Sequence, residues 1–209
     1  MHWTRIAIPL LILALFGGSV EEGVPYQLFP LKWEKRTDLV SVQLTICPTG
    51  MPAGMAERFK DAGAAWNTPY LQVSFAPDSC DPACTTGACG RNDIRVGSTS
   101  GLGHMGTMLF ARGGFLAACH IIVNEDEPMS MWYTAPDGTP VDQFDVWTLA
   151  MHELGHCLGL QHEDAVPSIM RTLIHRQEVQ HAPSPDDQAG IAFLYAAPAK
   201  RSAGCGRFF

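Results

Sequence analysis

The sequence contains the stretch His152-Glu153-Leu154-Gly155-His156-Cys157-Leu158-Gly159-Leu160-Gln161-His162, which decides the interpretation of this chain of 209 residues. It has the pattern H-E-x-x-H-x-x-G-x-x-H. His152 and His156 are four residues apart, so on a helix their side chains lie one turn apart on the same face and can bind one metal ion. A chain of this composition would contain the pattern by chance with a probability of about 5 in 10⁵. We therefore do not interpret these histidines as ordinary packing residues.

The third histidine of the pattern requires a turn in the chain. His162 could not reach the same ion from a straight helix, whereas Gly159 can adopt positive φ and end the helix. Three neutral imidazoles leave one coordination position of Zn²⁺ open for water, as in catalytic sites. Glu153, next to the first ligand, could take a proton from that water. The sequence therefore predicts one zinc ion bound by His152, His156 and His162, with Glu153 as the catalytic general base.

Composition and charge restrict the class of protein. The chain is 46% hydrophobic and 17% charged, which is typical of one soluble globular domain rather than a disordered chain. The net charge is −7, and the Lys and Arg residues are scattered along the sequence. A polyanion would not be attracted to such a surface, so we expect no nucleic-acid partner.

The first 19 residues resemble an export signal. His2 and Arg5 give a weakly basic start, residues 6–16 are apolar, and residues 17–19 are small. The apolar run is shorter than the ~20 residues that span a bilayer, so a membrane anchor is the less favoured alternative. We predict a signal peptide at residues 1–19 and a secreted protein, extracellular or periplasmic. We expect that protein to be a monomer without stable membrane association.

Seven cysteines lie beyond the predicted signal peptide, at positions 47, 80, 84, 89, 119, 157 and 205. In an oxidising compartment they are interpreted as disulfides, and the odd number leaves at least one thiol free or paired with another chain. Cys80, Cys84 and Cys89 indicate a stapled loop, with a zinc knuckle as the alternative. Cys157 follows His156 and is rotated about 100° from it on a helix. We expect Cys157 to be a disulfide or core residue rather than a ligand.

Apolar periodicity predicts the secondary structure. Apolar and polar residues alternate in residues 40–46, which indicates a half-buried strand. From Met55 to Trp66 apolar residues recur at helical spacing. Helices are also expected to begin at Asp145, a good N-cap, and at Ser184, which precedes Pro185. The other predicted elements are strands at 70–75, 93–96, 107–111 and 117–123, a helix end near residue 196, and an acidic surface loop at 125–144.

The metal-binding pattern is the signature of the metzincin clan of zinc endopeptidases, and the sequence after it resembles the matrixin branch. Met170, in Ser168-Ile169-Met170, lies where the Met-turn belongs, after the short connection from His162 that matrixins have. The stretch that begins with Ser184 and contains Asp186 and Asp187 resembles the matrixin C-terminal helix, in which two aspartates tether the Met-turn. Together with the early helix, the resemblance covers most of residues 38–196.

The resemblance implies an α+β fold, with a twisted, five-stranded, mostly parallel sheet, two main helices and a C-terminal helix. The metzincin-like zinc peptidase domain would span residues 38–197, between an N-terminal segment at 20–37 and a tail at 198–209. Met170 would form an apolar floor under the zinc ligands, a role that an ordinary core methionine would also fill. The strand at 107–111 would be an edge that pairs with an extended substrate, and residues 171–175 would border the primed-side pocket.

Several family features are missing or open. Arg171 replaces the tyrosine that follows the Met-turn methionine in astacins, and we find neither a cysteine-switch motif nor the usual structural-zinc pattern. His104 and His120 are either ligands of a second metal or ordinary surface or core histidines. The acidic residues of the 125–144 loop are either a calcium site or a solvated surface. These acidic residues are Glu125, Asp126, Glu127, Asp137 and Asp142.

The resemblance and the motif predict a secreted zinc-dependent endopeptidase that hydrolyses peptide bonds in protein or peptide substrates. Two alternatives are a zinc-stabilised binding domain and a latent peptidase without general activity. A third is a hydrolase of cell-wall or other amides. Loss of Glu153 would favour the binding domain, and Glu153 is present.

Overall fold

A mixed β-sheet carries the two main helices on one face. The structure is a computed structural model that describes residues 4–6, 25–76, 91–99, 101 and 103–196. The loop with Cys80, Cys84 and Cys89, the C-terminal tail and most of the predicted signal peptide lie outside these residues. Within the described residues, no helix is both long enough and apolar enough to cross a bilayer.

The strands of the sheet are β1 (Thr4–Ile6), β2 (Val40–Ile46), β3 (Leu71–Ala76), β4 (Asp93–Gly97), β5 (Met105–Arg112) and β6 (Phe115–Asn124). Their order in the sheet is β1-β5-β6-β4-β2-β3. Strand β2 pairs in parallel with β3 and β4, and β4 pairs in parallel with β6, whereas β5 is antiparallel to β6. The predicted five-stranded, mostly parallel sheet is confirmed. The short strand β1, inside the predicted signal peptide, adds an antiparallel partner to β5.

Three helices accompany the sheet: α1 (Met55–Ala65), α2 (Val146–Cys157) and α3 (Pro185–Tyr195). Asp145 is the N-cap of α2, and its carboxylate accepts a hydrogen bond from the backbone N–H of Thr148. Ser184 forms a capping box with Asp187 at the start of α3. Both predicted helix starts are confirmed, because a side-chain oxygen at each position satisfies a backbone donor that the first turn leaves unpaired.

Helices α1 and α2 bury their apolar faces against the sheet. The predicted apolar face of α1 is buried, and Trp66 at its C-cap is 1% exposed. The indole Nε1 of Trp66 donates a hydrogen bond to the Met151 carbonyl in α2. The buried residues of the shared core include Leu44, Ile46, Phe59, Ile94, Ile121, Val123, Leu149, Met151 and Leu154. This packing holds α2, with the metal-binding pattern, in one position over the sheet.

The segment 125–144 is more structured than predicted. It contains a 3₁₀ turn at Met129–Met131 and two short parallel strands, β7 (Trp132–Tyr133) and β8 (Phe144–Asp145). Trp132 and Phe144 are buried. The prediction of a surface loop is therefore wrong at both of these apolar positions. Strands of two residues are too short to show an alternating pattern, so turn residues dominated the sequence signal.

Residues 25–37 pack over the C-terminal ends of α2 and α3. The backbone N–H of Phe29 donates to the Gly159 carbonyl at 2.9 Å. The indole Nε1 of Trp33 donates to the Cys157 carbonyl at 2.8 Å, and Lys35 Nζ donates to the Tyr195 carbonyl at 2.9 Å. Because carbonyls in the last turn of a helix have no partner inside the helix, this segment satisfies some of them.

Candidate metal centre

The three histidines of the pattern come together at the end of α2. His152 and His156 lie on successive turns of the helix, and the backbone of Gly159 has φ 103°, which redirects the chain. His162 then returns to the same point. The Nε2 atom of His156 is 3.1 Å from that of His152 and 3.2 Å from that of His162. The predicted turn at Gly159 is confirmed.

Backbone carbonyls fix which ring nitrogen carries the proton in two of these histidines. His152 Nδ1 is 2.8 Å from the Ile169 carbonyl oxygen, and His156 Nδ1 is 2.9 Å from the Leu160 carbonyl oxygen. A carbonyl oxygen can only accept, so each Nδ1 is the donor and each neutral ring presents an unprotonated Nε2. Two such lone pairs that face each other repel unless a cation lies between them. The donor set therefore fits a metal ion.

The spacing of the donors also fits zinc. Ligand nitrogens about 2.05 Å from Zn²⁺ in tetrahedral geometry lie about 3.3 Å apart. The two Nε2 separations of 3.1 and 3.2 Å are close to that value. Among the described residues, these three histidines form a group of potential metal ligands. Their donor atoms all lie within 4.8 Å of one another. A tetrahedral ion with three protein ligands keeps its fourth position for water or substrate.

Burial prepares the imidazoles for metal binding. It lowers the pKa of His152, lowers that of His156 to well below 6.5, and lowers that of His162. The neighbouring histidines lower the pKa of His156 further, because a second positive charge would lie beside the first. The neutral ring is the form that binds a metal, so little proton competition is expected at neutral pH.

Glu153 lies beside the histidines in a nearly closed environment. It is 5% exposed, and this burial raises the pKa of its carboxyl group to about 7. A hydrogen bond from Thr107 and the positive charge of a protonated His162 oppose this rise. A carboxyl group with a pKa near neutrality can both accept and return a proton during turnover.

Met170, the expected floor of the metal site, packs against α2 at Gly155. It is 1% exposed, and a Cβ added at Gly155 would lie 2.2 Å from its sulfur atom. Helix α2 can therefore approach Met170 this closely only because residue 155 is a glycine. Asp187 of α3 accepts hydrogen bonds from the Ser168 hydroxyl and the Ile169 N–H. The turn that carries Met170 is thus attached to α3.

The sequence profile of the matrixin family matches residues 86–196, which include all three histidines and Glu153. The chain belongs to the matrixin family. Matrixins use zinc. This chain is similar to Matrix metalloproteinase-16 of Homo sapiens and of Mus musculus, and each of these relatives is 30% identical to it over 118 residues. Each alignment covers 52% of this chain but 19% of the relative, so the chain spans about a fifth of the length of these proteins.

The two histidines of this matrixin that the sequence left open as ligands of a second metal each have a carboxylate partner. His104 Nδ1 is 2.6 Å from Glu127 Oε1, and its ring packs against Phe144. His120 is buried, with Nδ1 2.7 Å from Asp93 Oδ1. These contacts account for one ring nitrogen of each residue, and Nε2 of His120 is buried without a hydrogen-bond partner among the described residues. They also engage Glu127, one of the acidic side chains that the sequence left open for calcium.

The segment 171–183 of this matrixin is attached to the start of α2. The ring of His181 stacks on Trp147 with 4.1 Å between centroids, and its Nε2 is 2.9 Å from Asp145 Oδ1. The Gln180 N–H donates to the Thr148 hydroxyl at 2.8 Å. Arg171, at the position where astacins have tyrosine, forms an ion pair with Glu178 in the same segment. The segment 171–183, which includes the predicted pocket border at residues 171–175, is therefore internally bridged and anchored.

Two contacts of the site were missed in the sequence. Thr107 hydrogen-bonds Glu153, although no pattern on its strand distinguishes it from its neighbours. Cys119 on β6 forms a disulfide with Cys157. The prediction that Cys157 is a disulfide or core residue is confirmed, but the sequence could not name its partner among six other cysteines.

Proposed function

We propose that this matrixin is a secreted zinc-dependent endopeptidase that hydrolyses peptide bonds in proteins. The observation that carries the proposal is the convergence of the Nε2 atoms of His152, His156 and His162 beside the buried carboxylate of Glu153. Zn²⁺ bound by these nitrogens would make a water molecule acidic and polarise the carbonyl of the scissile bond. A binding domain would need neither the open position nor a buried acid next to it.

Each protein group has a distinct role in this proposal. The carbonyl oxygens of Ile169 and Leu160 orient two ligand rings through their Nδ1 hydrogens. Glu153 takes a proton from the attacking water and delivers it to the nitrogen of the leaving amine, so the carboxylate is regenerated. The nearly closed surroundings of Glu153 strengthen these electrostatic interactions.

The proposed substrate is a protein or peptide in extended conformation. Strand β5 lies at one end of the five-stranded sheet, and in the structure the backbone of Thr4–Ile6 occupies its outer side as an antiparallel strand. This pairing supports the proposal that an extended substrate backbone binds along the same side of β5 once residues 1–19 are removed. Export of the protein is supported by the predicted signal at residues 1–19 and by the disulfide, which forms in oxidising compartments.

Cleavage of a mixture of unfolded proteins by the purified zinc-loaded protein tests this function. We expect defined cut sites, mapped by mass spectrometry, that disappear on zinc chelation and return with added zinc. Glu153→Gln should lower kcat by a factor of about 10² to 10⁴ while the protein keeps one zinc ion. Glu57→Gln, on the exposed face of α1, is the matched control and should cleave like wild type. Intact substrate in the presence of stoichiometric zinc would contradict general proteolysis and favour latency or a binding role.

A further inference from the structure

Thr107 on β5 contacts the carboxylate that is proposed as the general base. Its Oγ1 is 2.6 Å from Oε2 of Glu153 and 3.1 Å from the backbone oxygen of the same residue. A hydroxyl group has one hydrogen to donate. The shorter distance is typical of an O–H···O⁻ hydrogen bond to an ionised carboxylate. Thr107 therefore donates to Oε2, across a separation of 46 residues in the sequence.

A buried glutamate needs a hydrogen-bond partner if the orientation of its carboxylate group is to be fixed. The torsion that rotates a carboxylate about its Cγ–Cδ bond has a broad energy minimum, so packing alone does not fix the two oxygens. Proton transfer requires a donor and an acceptor about 2.6 to 3.2 Å apart. Because Glu153 is 5% exposed, little solvent is available to hold either carboxylate oxygen in place. The Thr107 hydroxyl holds Oε2 instead.

Thr107 is itself held firmly enough to orient another residue. It is β-branched, so few χ1 rotamers are available to it in a strand. Its backbone lies in the antiparallel ladder between β5 and β6, opposite Ile121. Helix α2, which carries Glu153, packs on this strand. The position of the hydroxyl is therefore set by the sheet, while the position of the carboxylate is set by the helix and by the hydroxyl.

We propose that Thr107 is a positioning residue that fixes Oε2 of Glu153, so that Oε1 is the oxygen that transfers the proton. This inference rests on the proposed function. In the first step an O–H bond of water breaks, an Oε1–H bond forms, and the water oxygen bonds to the carbonyl carbon of the substrate. In the second step the Oε1–H bond and the peptide C–N bond break while an N–H bond forms on the leaving amine, and Oε2 remains an acceptor from Thr107 throughout. Thr107 acts through Glu153, so it affects turnover rather than substrate affinity.

Two substitutions at one position separate this role from packing. Thr107→Val keeps the size and branching but removes the hydroxyl, whereas Thr107→Ser keeps the hydroxyl and removes a methyl group. In the zinc-loaded protein we expect the valine variant to lower kcat by about tenfold to a hundredfold, with KM and zinc content unchanged. The serine variant should stay within about threefold of wild type. If the valine variant does not fold, Thr107→Ala replaces it in the same comparison.

Two further measurements decide the outcome. In a Glu153→Gln background, Thr107→Val should have no additional effect on the residual kcat, since no carboxylate remains to be oriented. Crystal structures of zinc-loaded wild type and Thr107→Val should show a reoriented Glu153 carboxylate in the variant, and this readout does not require activity. Wild-type kcat in the valine variant, equal losses in the valine and serine variants, or an unmoved carboxylate would overturn the proposal. If wild type cleaves nothing, the proposed function fails, and the two crystal structures still decide whether Thr107 orients Glu153.

Discussion

At the scale of single residues, burial of Glu153 makes its ionised form unfavourable. The pKa of its carboxyl group rises from 4.5 to about 7 because the charged form loses water. A group whose pKa is raised in the folded state favours folding at low pH relative to high pH. Burial of Glu153 does not lower the free energy of unfolding below pH 4.5, where the carboxyl group is protonated in both states. The loss of stability grows as the pH rises from 4.5 to about 7 and is constant at higher pH. A zinc ion would offset this cost through its positive charge.

Glu153→Gln should therefore stabilise the metal-free protein more at pH 8 than at pH 5. From the raised pKa we expect the difference in free energy of unfolding between variant and wild type to grow by about 2 kcal/mol over this interval. Urea denaturation in the presence of a chelator, with disulfides intact, measures it. Glu57→Gln on the surface of α1 should follow the wild-type pH dependence. If the free energy of unfolding changes with pH equally in Glu153→Gln and wild type, Glu153 is not desolvated in the metal-free fold.

The sequence identified the residues of the site whose relation is local. His152, Glu153 and His156 are within five positions, so helical periodicity places them together without knowledge of the rest of the chain. His162 needed one further inference, the turn at Gly159. Thr107 could not be identified in this way, because its contact with Glu153 depends on which strand lies beside α2. That choice is made by the sheet topology.

At the scale of secondary-structure elements, α3 supports the metal centre through one buried aspartate. Asp187 accepts from the Ser168 hydroxyl at 2.5 Å, from the Ile169 N–H at 3.1 Å and from the Ser184 N–H at 2.7 Å. The carbonyl of Ile169 in turn orients the ring of His152. A chain of hydrogen bonds therefore runs from the first turn of α3 to Nδ1 of His152, the ring nitrogen that does not face the other histidines.

Asp187→Ala should destabilise the fold and weaken zinc binding. The substitution leaves buried N–H donors without an acceptor, which costs about 2 to 4 kcal/mol. The freed turn should reduce zinc affinity by about tenfold to a hundredfold. Thermal denaturation and competition with a chromophoric chelator measure the two effects.

The adjacent Asp186→Ala is the matched control for this prediction. Burial and the charges of Asp187 and Glu163 raise the pKa of Asp186, and a hydrogen bond from the Tyr26 backbone only partly opposes this rise, so the ionised carboxylate is in a net unfavourable environment. Its removal should leave stability and zinc affinity unchanged or slightly improved. Similar losses in the two variants would contradict a specific role for Asp187.

Longer strands were predicted more accurately from the sequence than shorter ones. Strand β2 was predicted at residues 40–46 and is observed at Val40–Ile46, because seven alternating residues make a clear period of two. The caps at Asp145 and Ser184 gave the starts of α2 and α3. Strands β7 and β8 have two residues each and were missed. Their pairing is imposed by the burial of Trp132 and Phe144 rather than by any local pattern.

At the scale of the whole molecule, one covalent link joins the sheet to the metal-binding helix. Cys119 lies on β6 in the interior of the sheet, and Cys157 is the last residue of α2, directly after His156. Both cysteines are fully buried, and their sequence separation is 38 residues. Trp33 also donates its indole N–H to the Cys157 carbonyl. The N-terminal segment, the helix and the sheet therefore meet at this residue.

Replacement of both Cys119 and Cys157 by alanine should loosen the protein as a whole and the metal centre in particular. A disulfide that closes a loop of this length raises the free energy of the unfolded chain by up to about 4 kcal/mol, because it lowers the chain's entropy. Without the disulfide the melting temperature should therefore fall by about 10 °C. The last turn of α2 would also be less firmly held, and zinc should dissociate faster from His156 and its neighbours. Calorimetry and the rate of zinc transfer to a chelator measure both effects.

A double variant with the wild-type melting temperature but faster zinc loss would show that the disulfide stabilises the metal site alone. The reverse result would show that packing of α2 on the sheet suffices to hold His156 in place.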